Sequence, residues 1–285
     1  MNYNWNWGIF WQPAPDGVGT YMSWLIAGLG WTLGTALLAW VIALGIGSIL
    51  GVIRTTPVRW AVRLGNAYVE LFRNIPLLVQ MFLWFFVLPE LVPKAIGDTI
   101  KQMPPPWAAF VPAVLCLGFY TAARVAEQVR AGIQSLPRGQ NMAGTALGLN
   151  VPQAYRYVLL PQAYRIIMPP LTSEFLNIIK NSSVALTIGL MELTARARAM
   201  QEFSFQVFEA FTAATVIYIL VNIVVVLGMR GLERKIAVPG LIAAGGAPQA
   251  GHRPMKPMPQ TSLSLASGST RGRRAAALPP RSVQI

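Results

Sequence analysis

Arg138-Gly-Gln-Asn-Met-Ala-Gly-Thr-Ala-Leu-Gly-Leu-Asn-Val-Pro-Gln-Ala-Tyr-Arg-Tyr-Val-Leu-Leu-Pro161 is a polar interval set between strongly apolar segments. It reads as two short helices. The first spans about Gln140 to Leu147 and is rich in good helix formers. Gly148 follows, where a helix end often needs a left-handed residue. Asn150 is placed as an N-cap, with Pro152 near the first helical position, where a missing N–H costs nothing. Tyr155, Val158 and Leu159 give the second helix an apolar stripe on a basic body. A capped helix pair offers a rigid knob to another protein; an ordinary structured loop is the plainer reading of the same spacing.

The chain around it is membrane material. Of its 285 residues 54% are apolar and only 12% charged, and the mean hydropathy is +0.48. Such a chain exposes too much apolar surface for water and belongs in a bilayer. A lone Cys116 rules out a disulfide within the chain. The one histidine, His252, leaves no His/Cys metal cluster and no Ser/His/Asp triad, so no metal site is expected. The phosphate-cradling pattern Gly-x-x-x-x-Gly-Lys-Ser/Thr is also missing, so any ATP hydrolysis must belong to a separate subunit.

Residues 1–20 carry no Lys or Arg, which argues against a signal peptide and for a short external segment. Tyr3, Trp5, Trp7 and Trp11 suit an interfacial aromatic belt. A charge-free run from Gly17 to Ile53 places the first span at about Tyr21–Val52. Gly47 and Gly51 have the spacing that lets helices approach closely, incidental glycine being the bland alternative. Further spans are expected from about Leu64 to before Pro89, Trp107 to Val129, Ala163 to Leu190 and Ala210 to Met229. A proline-rich loop, Pro89 to Pro106, joins the second and third. A short charged connection from Glu192 to Glu209 joins the fourth and fifth.

Five spans put the termini on opposite sides, and basic residues decide which is which. Arg54, Arg59, Arg63, Arg130, Arg138, Arg156, Arg165, Arg230, Arg234 and Lys235 fall on one side; Lys94, Lys101, Arg196 and Arg198 fall on the other. The expected architecture is therefore an all-α integral membrane protein of five transmembrane helices, N-terminus out and C-terminus in. Residues 21–235 form the membrane domain, and 138–161 face the cytoplasm. Residues 241–285 hold six basic and no acidic residues and read as a disordered tail, solvated or touching anionic lipid headgroups. The basic pI of 10.6 is not read as nucleic-acid binding.

Ionisable groups inside spans are expensive and default to functional candidates. They are Glu70 and Arg73, Arg124 and Glu127, and Glu174 and Lys180. Arg124 and Glu127 lie one helical turn apart and can pair. Glu70, Arg73, Glu127 and Glu174 are expected as structural ion pairs. Asn177, Asn181, Ser182 and Ser183 surround Lys180 as a polar cluster able to line a cavity. Pro169-Pro170 and the break at Asn181-Ser182 are candidate hinges, or simple kinks.

Several motifs resemble the polar amino-acid permeases of ABC importers. Met142-Ala143-Gly144, Gly148 and Val158-Leu159-Leu160-Pro161 are similar to that family's "EAA" coupling loop, with Met142 where the family has Glu, which removes the carboxylate for any salt bridge there. Val69-Glu70-Leu71-Phe72-Arg73-Asn74-Ile75-Pro76-Leu77-Leu78-Val79-Gln80 is similar to the family signature, as are Ala126 to Ile133 and Lys180-Asn181-Ser182-Ser183. Asn4 to Phe10 and Pro169 to Glu174 narrow the likeness to the glutamate/aspartate importers. The resemblance covers about residues 1–240.

It implies a type I ABC importer permease of the bacterial inner membrane, without enzymatic activity or a cofactor of its own, ATP and Mg²⁺ being held by a partner ATPase. The implied partners are that ATPase, a second permease subunit (a heterodimer), a periplasmic amino-acid-binding protein and membrane lipid. Gln140, Met142, Ala143, Gly144, Gly148, Leu149 and Pro161 would couple to the ATPase. The related permeases generally carry Tyr where this chain has Arg124, so Arg124 is the expected receiver of a dicarboxylic substrate's side-chain carboxylate. Thr121, Asn177, Lys180, Asn181 and Ser182 complete the expected pathway. Remaining alternatives are a permease for another polar amino acid, a scaffold half whose paralogous partner holds the site, a channel, and a membrane enzyme.

Overall fold

A computed structural model describes residues 3–236. The tail expected at 241–285, with His252, lies outside the described residues. Helices account for nearly all of the rest. A 3₁₀ turn at Trp7–Trp11 precedes α1 (Tyr21–Ile53), whose start is fixed by a capping box between Thr20 and Ser23. Then follow α2 (Arg59–Asn74), α3 (Leu77–Phe82), a π-helical turn (Leu83–Val87), α4 (Leu88–Leu91) and α5 (Lys94–Lys101). Next come α6 (Trp107–Gln134), α7 (Arg138–Ala146), α8 (Val151–Ala154), a π-helical turn (Tyr155–Leu159) and α9 (Leu160–Asn181). A 3₁₀ segment (Ser182–Ile188), α10 (Leu193–Ser204) and α11 (Val207–Ile236) complete the chain.

Helices α1, α6 and α11 are long and apolar enough to cross a membrane. The second apolar stretch differs from the single span expected. Pro76 forbids helix at Ile75, which is extended (ψ 129°), and α2 meets the helical run Leu77–Leu91 at 103°. Buried Gln80 seals the corner by donating from Nε2 to the carbonyls of Phe72 and Ile75, at 2.8 and 2.9 Å. If the bent pair counts as one span the total is four. The polar residues of α9 keep it below the hydropathy of the other three.

Two expected connections are helices. Lys94–Lys101 lies within the proline-rich loop, and the charged connection is α10, begun by Glu192 as its N-cap. Acidic caps favour helix starts, so Glu192, the first charge of that connection, is the helix signal.

The core is built on α1 against α6. Gly47 and Gly51 make this approach possible. A Cβ on Gly47 would sit 2.8 Å from the Ala122 carbonyl oxygen, and one on Gly51 2.8 Å from that of Ala126, with Val125 and Val129 closer still. Their spacing is therefore not incidental. Below them Val125, Val129, Ala163 and Ile167 bury the contact of α6 with α9. Ala39, Leu117, Ile178 and Ile179 do so higher up. Outward, α1 exposes Ile26, Leu37, Val41 and Ile49, while α11 exposes Val216, Leu220, Val224 and Leu227. Such apolar outer faces suit lipid or neighbouring subunits.

Candidate functional site

Two groups of residues have functional geometry. The first lies where α1 and α6 end beside the polar interval. Helix α7 spans Arg138–Ala146, Gly148 takes φ +80°, and Asn150 forms a reciprocal capping box with Gln153. Those features agree with the spacing. The second helix does not stand alone: from Val151 the chain stays helical through the π turn at Tyr155–Leu159 into α9. The interval is thus one short helix joined to the base of a long one. Pro161 comes just after the π turn, and because the helix is continuous from Val151 it leaves the backbone there one N–H short.

Side chains fasten this base to its surroundings. The Tyr155 hydroxyl donates to the Thr55 carbonyl at 2.9 Å, and Gln162 Nε2 to the Val158 carbonyl at 2.9 Å and Gln140 Oε1 at 3.3 Å. Leu149 is half-buried and Gly144 buried, whereas Met142 and Leu147 are exposed, Leu147 at 82%. The Ala143 side chain lies outside the described set. Exposed apolar side chains on a capped, anchored helix are what a docking knob presents. Beside it opens a cavity of about 840 Å³ lined by Arg54, Thr55, Gln134, Met142 and Tyr155.

Glu127 is the charge hub of this end. It accepts from Arg54 at 2.7 Å and from Arg130, and Arg54 also donates to Asn66 Oδ1 at 2.7 Å. Glu127 therefore does not pair with Arg124, as one-turn spacing had suggested. Glu70 and Arg73 are both exposed and hold no ion pair among the described residues.

The second group lies where α6 faces α9. Arg124 donates from Nη2 to the Tyr120 hydroxyl at 2.8 Å, with its guanidinium 5.1 Å from the Tyr120 ring centre. Its Nη1 stands 3.9 Å from Glu174 Oε2. Arg124 keeps 41% of its side chain exposed, while Glu174 is buried. Lys180 is exposed in the last turn of α9, its ammonium without a partner among the described residues, and Asn177 and Asn181 are half-buried. Thr121 and Ser182 are buried, and Ser182 Oγ donates to the Ile179 carbonyl at 2.7 Å. In this conformation those two face the core; Ser182 closes the helix where α9 tightens to 3₁₀.

Buried carboxylates that the sequence had passed over stand elsewhere. Glu192 is fully buried and accepts from Tyr218 at 2.9 Å, Thr32 at 3.4 Å and the N–H groups of Thr194 and Ala195. Glu209 accepts from Tyr3 and from the Asn6 N–H. The only signal for Glu192 was its place ahead of Leu193-Thr194-Ala195, a cap pattern hidden by its charge.

The chain has relatives among known proteins. Residues 43–238 match the family described as binding-protein-dependent transport system inner membrane component. The chain belongs to that family. It is 52% identical over 241 residues to the glutamate/aspartate import permease protein GltJ of Escherichia coli (strain K12), covering 84% of this chain and 98% of that protein. It is 30% identical over 233 residues to the glutamine transport system permease protein GlnP of the same organism, covering 82% and 98%. In structure it is similar to a chain of an amino acid ABC transporter crystallised with histidines, at TM-score 0.64 and 31% identity, covering 75% of this chain and 95% of that one. As a family member it is a multi-pass component of the inner membrane.

Proposed function

We propose that this chain is a permease subunit of an ATP-driven, binding-protein-dependent importer of glutamate and aspartate. The observation that carries the reading is the 52% identity to a glutamate/aspartate import permease along 98% of its length. Its partners in this reading are a separate ATPase subunit, a second permease subunit forming a heterodimer, and a periplasmic amino-acid-binding protein. Five membrane passes, counting the elbowed α2–α4 stretch and α9, put the N-terminus outside and the C-terminus inside. Residues 1–20 then lie outside, 21–235 form the membrane domain and 138–161 meet the ATPase.

In this reading α7, with exposed Met142 and Leu147, docks on the ATPase. Because the chain runs without a non-helical break from Val151 to Ile188, displacement at the base passes directly into α9 and its polar face. Tyr155 carries the same displacement to α1. Arg124 receives the side-chain carboxylate of the substrate, its fork of N–H donors matching a carboxylate bidentately. Lys180 and Asn181 add polar contacts further along α9.

The test is reconstitution of this chain with its partners in proteoliposomes and measurement of ATP-dependent uptake across a panel of amino acids. Glutamate and aspartate uptake is expected. Uptake confined to another amino acid overturns the substrate, and uptake without ATP overturns the importer.

A further inference from the structure

We propose that Glu174 is the acceptor for the ammonium group of the amino acid whose carboxylate lies on Arg124, an assignment that rests on the importer function proposed above. Two ion pairs in this chain make the contrast. Arg54 and Glu127 close to 2.7 Å, and Glu127 is bonded by two arginines. Arg124 and Glu174 stop at 3.9 Å, beyond hydrogen-bond reach.

Arg124 instead turns Nη2 to the Tyr120 hydroxyl and leaves much of its guanidinium open. Glu174 is 8% exposed, and its Oε2, the oxygen nearest Arg124, has no hydrogen-bond partner among the described residues. A buried carboxylate oxygen left unbonded is costly, and more so for a charge than for a neutral group. Structural ion pairs normally remove that cost by closing, as Glu127 does.

The open pair has the chemistry of a receptor for a molecule bearing both charges. A guanidinium fork takes a carboxylate in its plane, and an ammonium brings three donors to a carboxylate. The two protein charges cancel, so one carboxylate and the ammonium of the substrate can insert together without adding net charge at this pair, its second carboxylate lying outside it. Because Arg124 stands on α6 and Glu174 on α9, the same ligand would bridge the two helices. One that lacks either charge engages only one of them.

The experiment uses the purified permease–ATPase complex without the binding protein, so that recognition by the permease alone is read. Radiolabelled glutamate is bound at equilibrium and competed with unlabelled glutamate or with glutarate, which keeps both carboxylates and lacks the ammonium. The wild-type complex is expected to prefer glutamate by about 10-fold or more, the span of a charge-assisted hydrogen bond. Glu174→Gln is expected to bring that preference close to one. Glu174→Asp, which keeps the charge, should restore part of it.

Co-purification with the ATPase and basal ATP hydrolysis report folding. Should Glu174→Gln fail to assemble, an undiminished preference in Glu174→Asp together with Glu174→Ala would overturn the assignment. So would an unchanged preference in a well-assembled Glu174→Gln. ATP-dependent glutamate uptake without measurable binding to the wild-type complex would also overturn it while leaving the importer function standing. Loss of uptake in the wild-type system would overturn the importer function itself.

Discussion

Tyr155, in the π-helical turn at the foot of α9, hydrogen-bonds through its hydroxyl to the backbone carbonyl of Thr55 just beyond α1. The bond ties the foot of α9 to the chain just beyond α1, and Tyr164 with Ser48 joins the same two helices. The bond reaches 100 residues along the chain and uses a carbonyl that side-chain substitution cannot remove. Tyr155→Phe deletes the donor and keeps the ring, at about 1 kcal/mol of stability. Glutamate uptake per ATP hydrolysed should fall several-fold, while ATPase binding stays intact. Thr55→Val, which spares the carbonyl but removes the Thr55 hydroxyl 3.0 Å from that of Tyr155, should change the ratio less than Tyr155→Phe does. Parallel assays of uptake and phosphate release decide the matter.

Arg124→Tyr should lower glutamate and aspartate uptake by at least about 10-fold, since a guanidinium–carboxylate contact is replaced by a neutral phenol. Assembly with the ATPase should persist, because Arg124 is half-open and its one side-chain hydrogen bond lies within α6. Undiminished uptake in the assembled variant would remove Arg124 from the pathway.

Gly51→Leu should destabilise the bundle by about 1–3 kcal/mol or more, the range for overpacking a tight interface. Relief is difficult because the obstructing atom is a backbone carbonyl 2.8 Å from the added Cβ. Gly45→Leu, on the open side of α1 with nothing near the added carbon, should be tolerated. Thermal unfolding in detergent compares the two.

Glu192→Ala should cost about 1–3 kcal/mol. It strips the cap from α10 and leaves the Tyr218 hydroxyl with Thr194 and Thr32 nearby. Glu202→Ala, at an exposed i,i+4 pair with Arg198, should change stability by no more than about 0.5 kcal/mol. Melting temperatures of the purified variants test the difference.

What could be read from the sequence was what short-range chemistry controls. Gly148 and Asn150 fix a helix end and a helix start within three residues, so their spacing was sufficient. The start of α1 at Tyr21 followed equally from one uninterrupted apolar run. The elbow at Ile75-Pro76 was written in the chain too, but hydropathy averages across a proline and so merges the two arms. Pairing of charges was not legible. Arg124 and Glu127 are a turn apart, yet Arg124 meets Glu174 on α9, and Glu127 takes Arg54 from just beyond α1 as well as Arg130 on α6 itself; packing on α6 selects the two distant partners. Likewise, charge at Glu192 argued for solvent, when Thr32 and Tyr218 from two other helices bury it.

The π-helical turn at Tyr155–Leu159 also acts as a register device. Such a turn holds one residue more than the α-helix would need, and each residue advances the helix by about 100°. Removing a single residue there would convert the turn to α-helix, with Pro161 still lacking an N–H to donate. Everything above would then be wound about 100° against everything below, so Glu174 would swing away from α6 while Asn150 kept its cap. The angular setting of the polar face of α9 is therefore stored far beneath it, in the five residues at its foot.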